Sequence, residues 1–149
     1  MPEKVKKQKA VIKKKRYYFF LNHYPQYAFT KCPKCENKTK LRKFALVVNI
    51  DPGQPVILNV SCRFCPYCDL IIAKQAEVEA LLWGAVEKVK PEIVGNAYLV
   101  LGTIERADWR NFRKGGHAPV EIIKCISLFK DVLDFKVIPA GWYPADQEK

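Results

Sequence analysis

The chain has 149 residues, 49% of them hydrophobic and 28% charged, with a net charge of +11. That balance excludes a collagen-like repeat and wholesale disorder, and the length fits one ordinary domain or a small metal module joined to a modest second core. The charge is uneven: residues 1–43 hold 14 Lys or Arg against Glu3 and Glu36, a net of +12, whereas residues 44–149 sum to −1.

A basic front end on a neutral body points to a polyanionic partner such as nucleic acid, RNA or DNA, with a membrane surface the weaker candidate. No apolar stretch near the N-terminus suits a signal-peptide core or a membrane span. A cytoplasmic protein with no membrane partner is therefore expected. In that compartment six cysteines read as reduced thiols or metal ligands rather than as a disulfide framework.

Residues 1–16 carry eight Lys or Arg, whose mutual repulsion predicts a solvated, flexible basic arm. The stretch from Tyr17 to Phe29 then places seven aromatics among thirteen uncharged residues, and Tyr17 to Leu21 has strand composition. "KLRKFALVVNI", the turn signal Asp51-Pro52-Gly53 and "PVILNVSCRF" predict a β-hairpin whose outer ends each meet a cysteine pair.

"AKQAEVEALLWGAVEKVK" has apolar residues at helical intervals, Val78, Leu82, Ala85 and Val89, with Glu77 and Glu79 early and Lys88 and Lys90 late, as the helix dipole favours. Pro91 ends this helix. The run from Asn96 to Ile104 is predicted as a buried strand, and "RADWRNFRKGGHA" as a loop or short turn. "PVEIIKCISLFKDVL" predicts a second helix, with Pro119 in its first turn and Ile122, Ile126, Phe129 and Leu133 on one stripe. "FKVIPAGWYP" is a candidate edge strand. The expected fold class is α+β. Three parts are expected: a basic arm over 1–16, a β module over 17–72, and an α+β portion over 73–149 packed on that module as one compact unit.

The motif that carries chemistry is a duplicated knuckle: Cys32-Pro33-Lys34-Cys35 and Cys65-Pro66-Tyr67-Cys68, separated by 29 residues. Two residues between cysteines let a tight turn aim both sulfurs at one ion, and a proline helps fix that turn. The duplicate pair argues against a thioredoxin-type redox site, which needs one pair beside a βαβ unit. Cys62 offers an overlapping spacing with Cys65. It should point to the opposite face of an extended strand, and it is read as a buried small side chain or spare thiol.

Residues 29–72 resemble the zinc-ribbon proteins, in which two such knuckles at the ends of β-hairpins clamp a structural zinc. The resemblance implies one structural Zn2+ held by Cys32, Cys35, Cys65 and Cys68 within zinc-ribbon-like antiparallel hairpins, and it extends to no other part of the chain. Zinc ribbons commonly carry glycine after the second cysteine of each knuckle, where this chain has Glu36 and Asp69. The spacing is also similar to that of rubredoxins, iron electron carriers, so iron stands as the alternative metal. A hairpin of this size buries too little apolar surface to fold alone, and structural zinc contributes on the order of 10–16 kcal/mol in small peptides.

The candidate phosphate contacts are Lys13, Lys14, Lys15 and Arg16 before the aromatic segment, and Lys31, Lys34, Lys38, Lys40, Arg42 and Lys43 around the first knuckle. Together they suggest one continuous cationic face. Tyr17, Tyr18, Tyr24 and Tyr27 are candidates for base stacking or for packing against the ribbon, and packing is favoured. His117 beside Gly115 and Gly116 reads as a flexible loop, His23 as an unneeded alternate ligand, and Cys125 as core. Asp108-Trp109-Arg110 has no partner constellation.

Four cysteines close a coordination shell, and no acid/base or nucleophile set accompanies them, so a non-catalytic role is expected. The leading function is a zinc-stabilised nucleic-acid-binding protein. The alternative is a protein-interaction adaptor or assembly subunit that recognises a protein partner through its C-terminal portion.

Overall fold

The computed structural model describes residues 14–113 and 124–137. Its centre is the long hairpin of β2 (Lys40–Ile50) and β3 (Gln54–Cys65), paired in register from Lys40 opposite Phe64 to Ile50 opposite Gln54. Along β2 the side chains of Phe44, Leu46, Val48 and Ile50 enter one hydrophobic cluster, whereas Ala45 and Val47 enter another. Strand side chains alternate between faces, so a continuous apolar run gives a strand buried on both sides.

Around this hairpin lie β1 (Tyr18–Asn22), β4 (Leu70–Lys74), β5 (Tyr98–Ile104), β6 (Ser127–Leu128) and β7 (Asp131–Leu133), in the order β6-β5-β2-β3-β4-β1-β7. The pairs β1–β4 and β1–β7 are parallel, and the other neighbours are antiparallel. The two edge strands are neighbours in sequence, with Phe129 and Lys130 alone between them. Three peptide steps span at most about 11 Å. The edges of a flat seven-stranded sheet would lie about 29 Å apart.

The sheet must therefore curl until its edges meet. Two hydrogen bonds close the seam: Phe129 N–H donates to Leu101 O at 3.2 Å and Lys130 N–H to Tyr17 O at 2.7 Å. Closure pairs edges that would otherwise expose unpaired backbone. Gly102, opposite Leu128, makes the approach sterically possible, because a Cβ there would lie 2.2 Å from Ser127 O.

This seam overturns the second predicted helix from Ile126 onward; Lys124, the first described residue of that prediction, is helical. Ile126, Phe129 and Leu133, read as one helical stripe, each join a different cluster. An extended chain that satisfies two sheet edges outcompetes a helix offering one apolar stripe. The first residues of that predicted helix, 119–123, lie outside the described residues, as does most of the candidate edge strand. The described part of the latter, 135–137, has no regular structure.

Helix α1 (Gln75–Val86) buries Val78, Leu82 and Val86. Ala85 is exposed and Val89 lies past the helix, so the predicted stripe is corrected to an i, i+4, i+8 row. Lys88 and Lys90 also fall beyond the helix, whose last turn has no basic residue. A 3-10 turn, Pro91–Ile93, follows. The predicted loop over 106–113 is instead helix α2 (Arg106–Arg113). No breaker interrupts those residues, since the glycines come later, and Trp109 packs against the cluster of Ala45, Val47, Ile104 and Ile126. The architecture is α+β, with one curled sheet and two helices among the described residues. None of these helices is long and apolar enough to cross a membrane.

Candidate metal centre and basic groove

The first knuckle is shaped by its own backbone. Cys32 N–H donates to Asn37 O and Glu36 N–H to Cys32 O, both at 2.8 Å, while Lys31 and Lys38 form an antiparallel bridge. The second knuckle joins β3 to β4, and Tyr18 N–H donates to Asp69 O at 2.8 Å, which ties it to β1. Glu36 and Asp69 both have left-handed backbone, with φ of 66° and 54°. The glycine-type turn is thus kept at both knuckles without the glycine, against steric resistance from each Cβ.

Four sulfurs converge. The Sγ atoms of Cys32, Cys35, Cys65 and Cys68 all lie within 4.8 Å of one another, with Cys32–Cys68 at 4.0 Å and Cys35–Cys65 at 3.4 Å. Tetrahedral zinc with bonds of about 2.3 Å requires sulfur separations of about 3.8 Å, so the group matches the size of a four-thiolate site. All four are free thiols rather than disulfides. They sit against Phe20, Leu70 and Ile72, on the face of β3 opposite Cys62, which belongs to the other cluster with Phe64 and Val60.

The surroundings favour thiolate at Cys35 and oppose it at Cys65 and Cys68. Lys34 N–H approaches Cys32 Sγ at 3.4 Å, and Asn37 Nδ2 approaches Cys35 Sγ at 3.3 Å. The Asn37 backbone N–H is the main reason the Cys35 thiol is lowered to about 6. Burial pushes Cys68 up to about 12, reinforced by Cys35 and Cys32, and also raises Cys65. Four thiols crowded this closely cannot all ionise without a cation among them. A divalent ion would supply that charge, and the residues present fit it. Cys62 is separate: burial, then the charge of Glu77, pushes it up to about 12. His23 is half exposed beside Asp134 at 3.7 Å and has no part in the sulfur cluster.

The basic side chains divide into two groups. Lys14, Lys15 and Arg16 meet Arg42 and Lys43 of β2 around a groove of about 550 Å³. Lys31, Lys34 and Lys38 belong to the first knuckle, where Lys34 Nζ lies 4.7 Å from the Tyr18 ring centre, and Lys40 begins β2. None of these four lines the groove. Lys13 lies outside the described residues, as do His117, its two glycines and the arm through residue 13. Cys125, expected as core, is only half-buried and lines the groove.

Tyr17 and Phe19 are buried, and Tyr24 packs against the Phe20 cluster, so these rings serve packing. Tyr27 remains more exposed, at 42%. Three contributors escape the sequence reading. Asn37 had a signal, an amide donor two residues after a ligand cysteine. Arg106 and Trp109, also at the groove, had none, because the sheet brings them there from more than 60 residues away. Comparison of the chain with protein-family models, curated proteins and solved structures finds no match.

Proposed function

We propose that this is a zinc-stabilised, non-catalytic nucleic-acid-binding protein that contacts phosphates through its basic N-terminal half. The observation that carries the reading is the meeting of Lys14, Lys15 and Arg16 with Arg42 and Lys43 around one groove. Cations distant in sequence and gathered in a concavity raise the local potential more than the same charges spread over a surface.

The four-cysteine cluster supports a zinc-ribbon-like role for the knuckles. Cys32, Cys35, Cys65 and Cys68 would hold the ion, which would supply cross-linking of the β2–β3 end rather than reaction chemistry. Four sulfurs fill a tetrahedral shell, leaving no open position for a reacting water. Zinc is preferred to iron because the knuckles carry cations, not the surroundings of an electron-transfer surface.

Two measurements test the reading. Metal analysis of natively purified protein should give about one zinc per chain. Fluorescence anisotropy with labelled RNA and DNA should show affinity falling steeply with salt. Salt-indifferent or absent binding would remove the nucleic-acid reading. Capture of one protein partner that survives nuclease would favour an adaptor instead.

A further inference from the structure

Arg16 and Arg42 approach the groove from different parts of the chain but rest on one aromatic platform. Arg16 Cζ lies 4.8 Å from the Tyr17 ring centre, and Arg42 Cζ lies 4.6 Å from that of Phe44 and 5.2 Å from that of Phe64. The three rings pack on one another, with centres 5.5 Å apart for Tyr17–Phe44, 5.8 Å for Tyr17–Phe64 and 5.4 Å for Phe44–Phe64. All three rings are buried, whereas both arginines are exposed.

A guanidinium held against a ring has lost part of its freedom while N–H donors stay available to an anion. Holding two such groups on a rigid base lowers the entropy lost on binding successive phosphates. Arg106 and Trp109 of α2 add a cation and an indole on the groove, and Glu105 is the one acid among its described lining residues. The lining also includes Asn59 and Thr103, which supply hydrogen-bonding groups.

The dimensions select the ligand. About 550 Å³ is small-molecule scale, room for a nucleotide or two rather than for a duplex about 20 Å across. Positive charge beside aromatic side chains is the combination that single strands exploit, through backbone phosphates and base stacking. The geometry points to a single-strand nucleic-acid site in this groove, with Arg16 and Arg42 as its phosphate contacts and the knuckle lysines outside it. This deepens the nucleic-acid reading and rests on it.

The test uses the full chain with its metal and a fluorescein-labelled ten-nucleotide oligo-U or oligo-dT, compared with a ten-base-pair duplex. The single strand should bind at least about tenfold more tightly than the duplex. Arg16→Gln and Arg42→Gln should each weaken binding and lower the magnitude of the log–log salt slope by about 0.7. Arg42→Lys should keep the slope yet lose affinity several-fold, because an ammonium keeps the charge and loses the planar fork. Lys88→Gln, on the segment after α1, controls for net charge, and thermal melts of every variant check the fold.

Equal or tighter duplex binding overturns the single-strand assignment. If arginine variants bind as wild type while Lys31→Gln/Lys34→Gln/Lys38→Gln loses affinity, the groove is wrong and the broader reading survives at the knuckle. Failure of wild type to bind either probe at low salt defeats both.

Discussion

Gly102→Ala tests the closure of the sheet. The added Cβ would lie 2.2 Å from Ser127 O, 2.8 Å from Ser127 C and 2.9 Å from Leu128 Cα, all of them backbone atoms. Ordinary van der Waals contact begins near about 3.5 Å, so β5 and β6 must separate by roughly an ångström. That separation weakens the Gly102–Leu128 and Thr103–Ser127 pairing and the Phe129 N–H bond to Leu101 O. At about 1 kcal/mol for each hydrogen bond, the ladder contributes about 2–3 kcal/mol.

Ile126 and Phe129, 5% and 6% exposed, would also lose part of their burial. Full burial of such side chains is worth about 1.5–3 kcal/mol each, so partial loss adds about 1–2 kcal/mol. The expected total is about 3–5 kcal/mol, read as a lower urea midpoint by circular dichroism. Amide exchange over 126–133 should accelerate. Gly84→Ala is the matched control: it sits in α1 with nothing within 4 Å of its Cβ and should stabilise by up to about 1 kcal/mol. A Gly102→Ala protein within about 0.5 kcal/mol of wild type would refute the closed-seam description.

Serine at any one of Cys32, Cys35, Cys65 or Cys68 should abolish stoichiometric metal, and exhaustive chelation of wild type should collapse near-ultraviolet dichroism; retention of metal by all four variants would exclude the cluster. Cys62→Ala should retain full metal content, since Cys62 faces the other cluster, and loss of metal would show it to be a ligand. The Cys62 thiol keeps its proton in the folded state at pH values where the unfolded chain has lost it. Stability linked to it is therefore complete below about pH 8.5 and falls by up to about 1.4 kcal/mol per unit as pH rises toward 12. Urea melts between pH 8 and 10.5 should show this slope in wild type and a shallower one in Cys62→Ala, and identical slopes would refute it. Glu36→Gly should relieve the left-handed backbone and stabilise the metal-loaded protein by about 0.5–1 kcal/mol, measured by thermal melting; destabilisation would show that Glu36 has a role beyond its turn.

Local signals decided much of what was legible in advance. The β2–β3 hairpin follows from an apolar run on each side of Asp51-Pro52-Gly53, and the metal cluster from two Cys-Pro-x-Cys turns at the ends of that hairpin. Alternation along β3 also separates Cys62 from Cys65, because three residues along an extended strand reverse the facing. Each of these needs only short-range geometry.

What tertiary structure alone decided is the seam and the groove. Residues 126–133 carry a helical period, yet they become the strip that joins both edges of the sheet, because unpaired backbone on two strands is a stronger demand than one apolar stripe. Ten basic side chains could be named as candidates from composition, but division into groove and knuckle depends on which strands become neighbours. Lys14 reaches Ser127, whose hydroxyl donates to its carbonyl oxygen at 2.7 Å, across 113 positions of sequence. Such a contact exists only once the sheet has closed, and a pattern read within a few residues has no access to it.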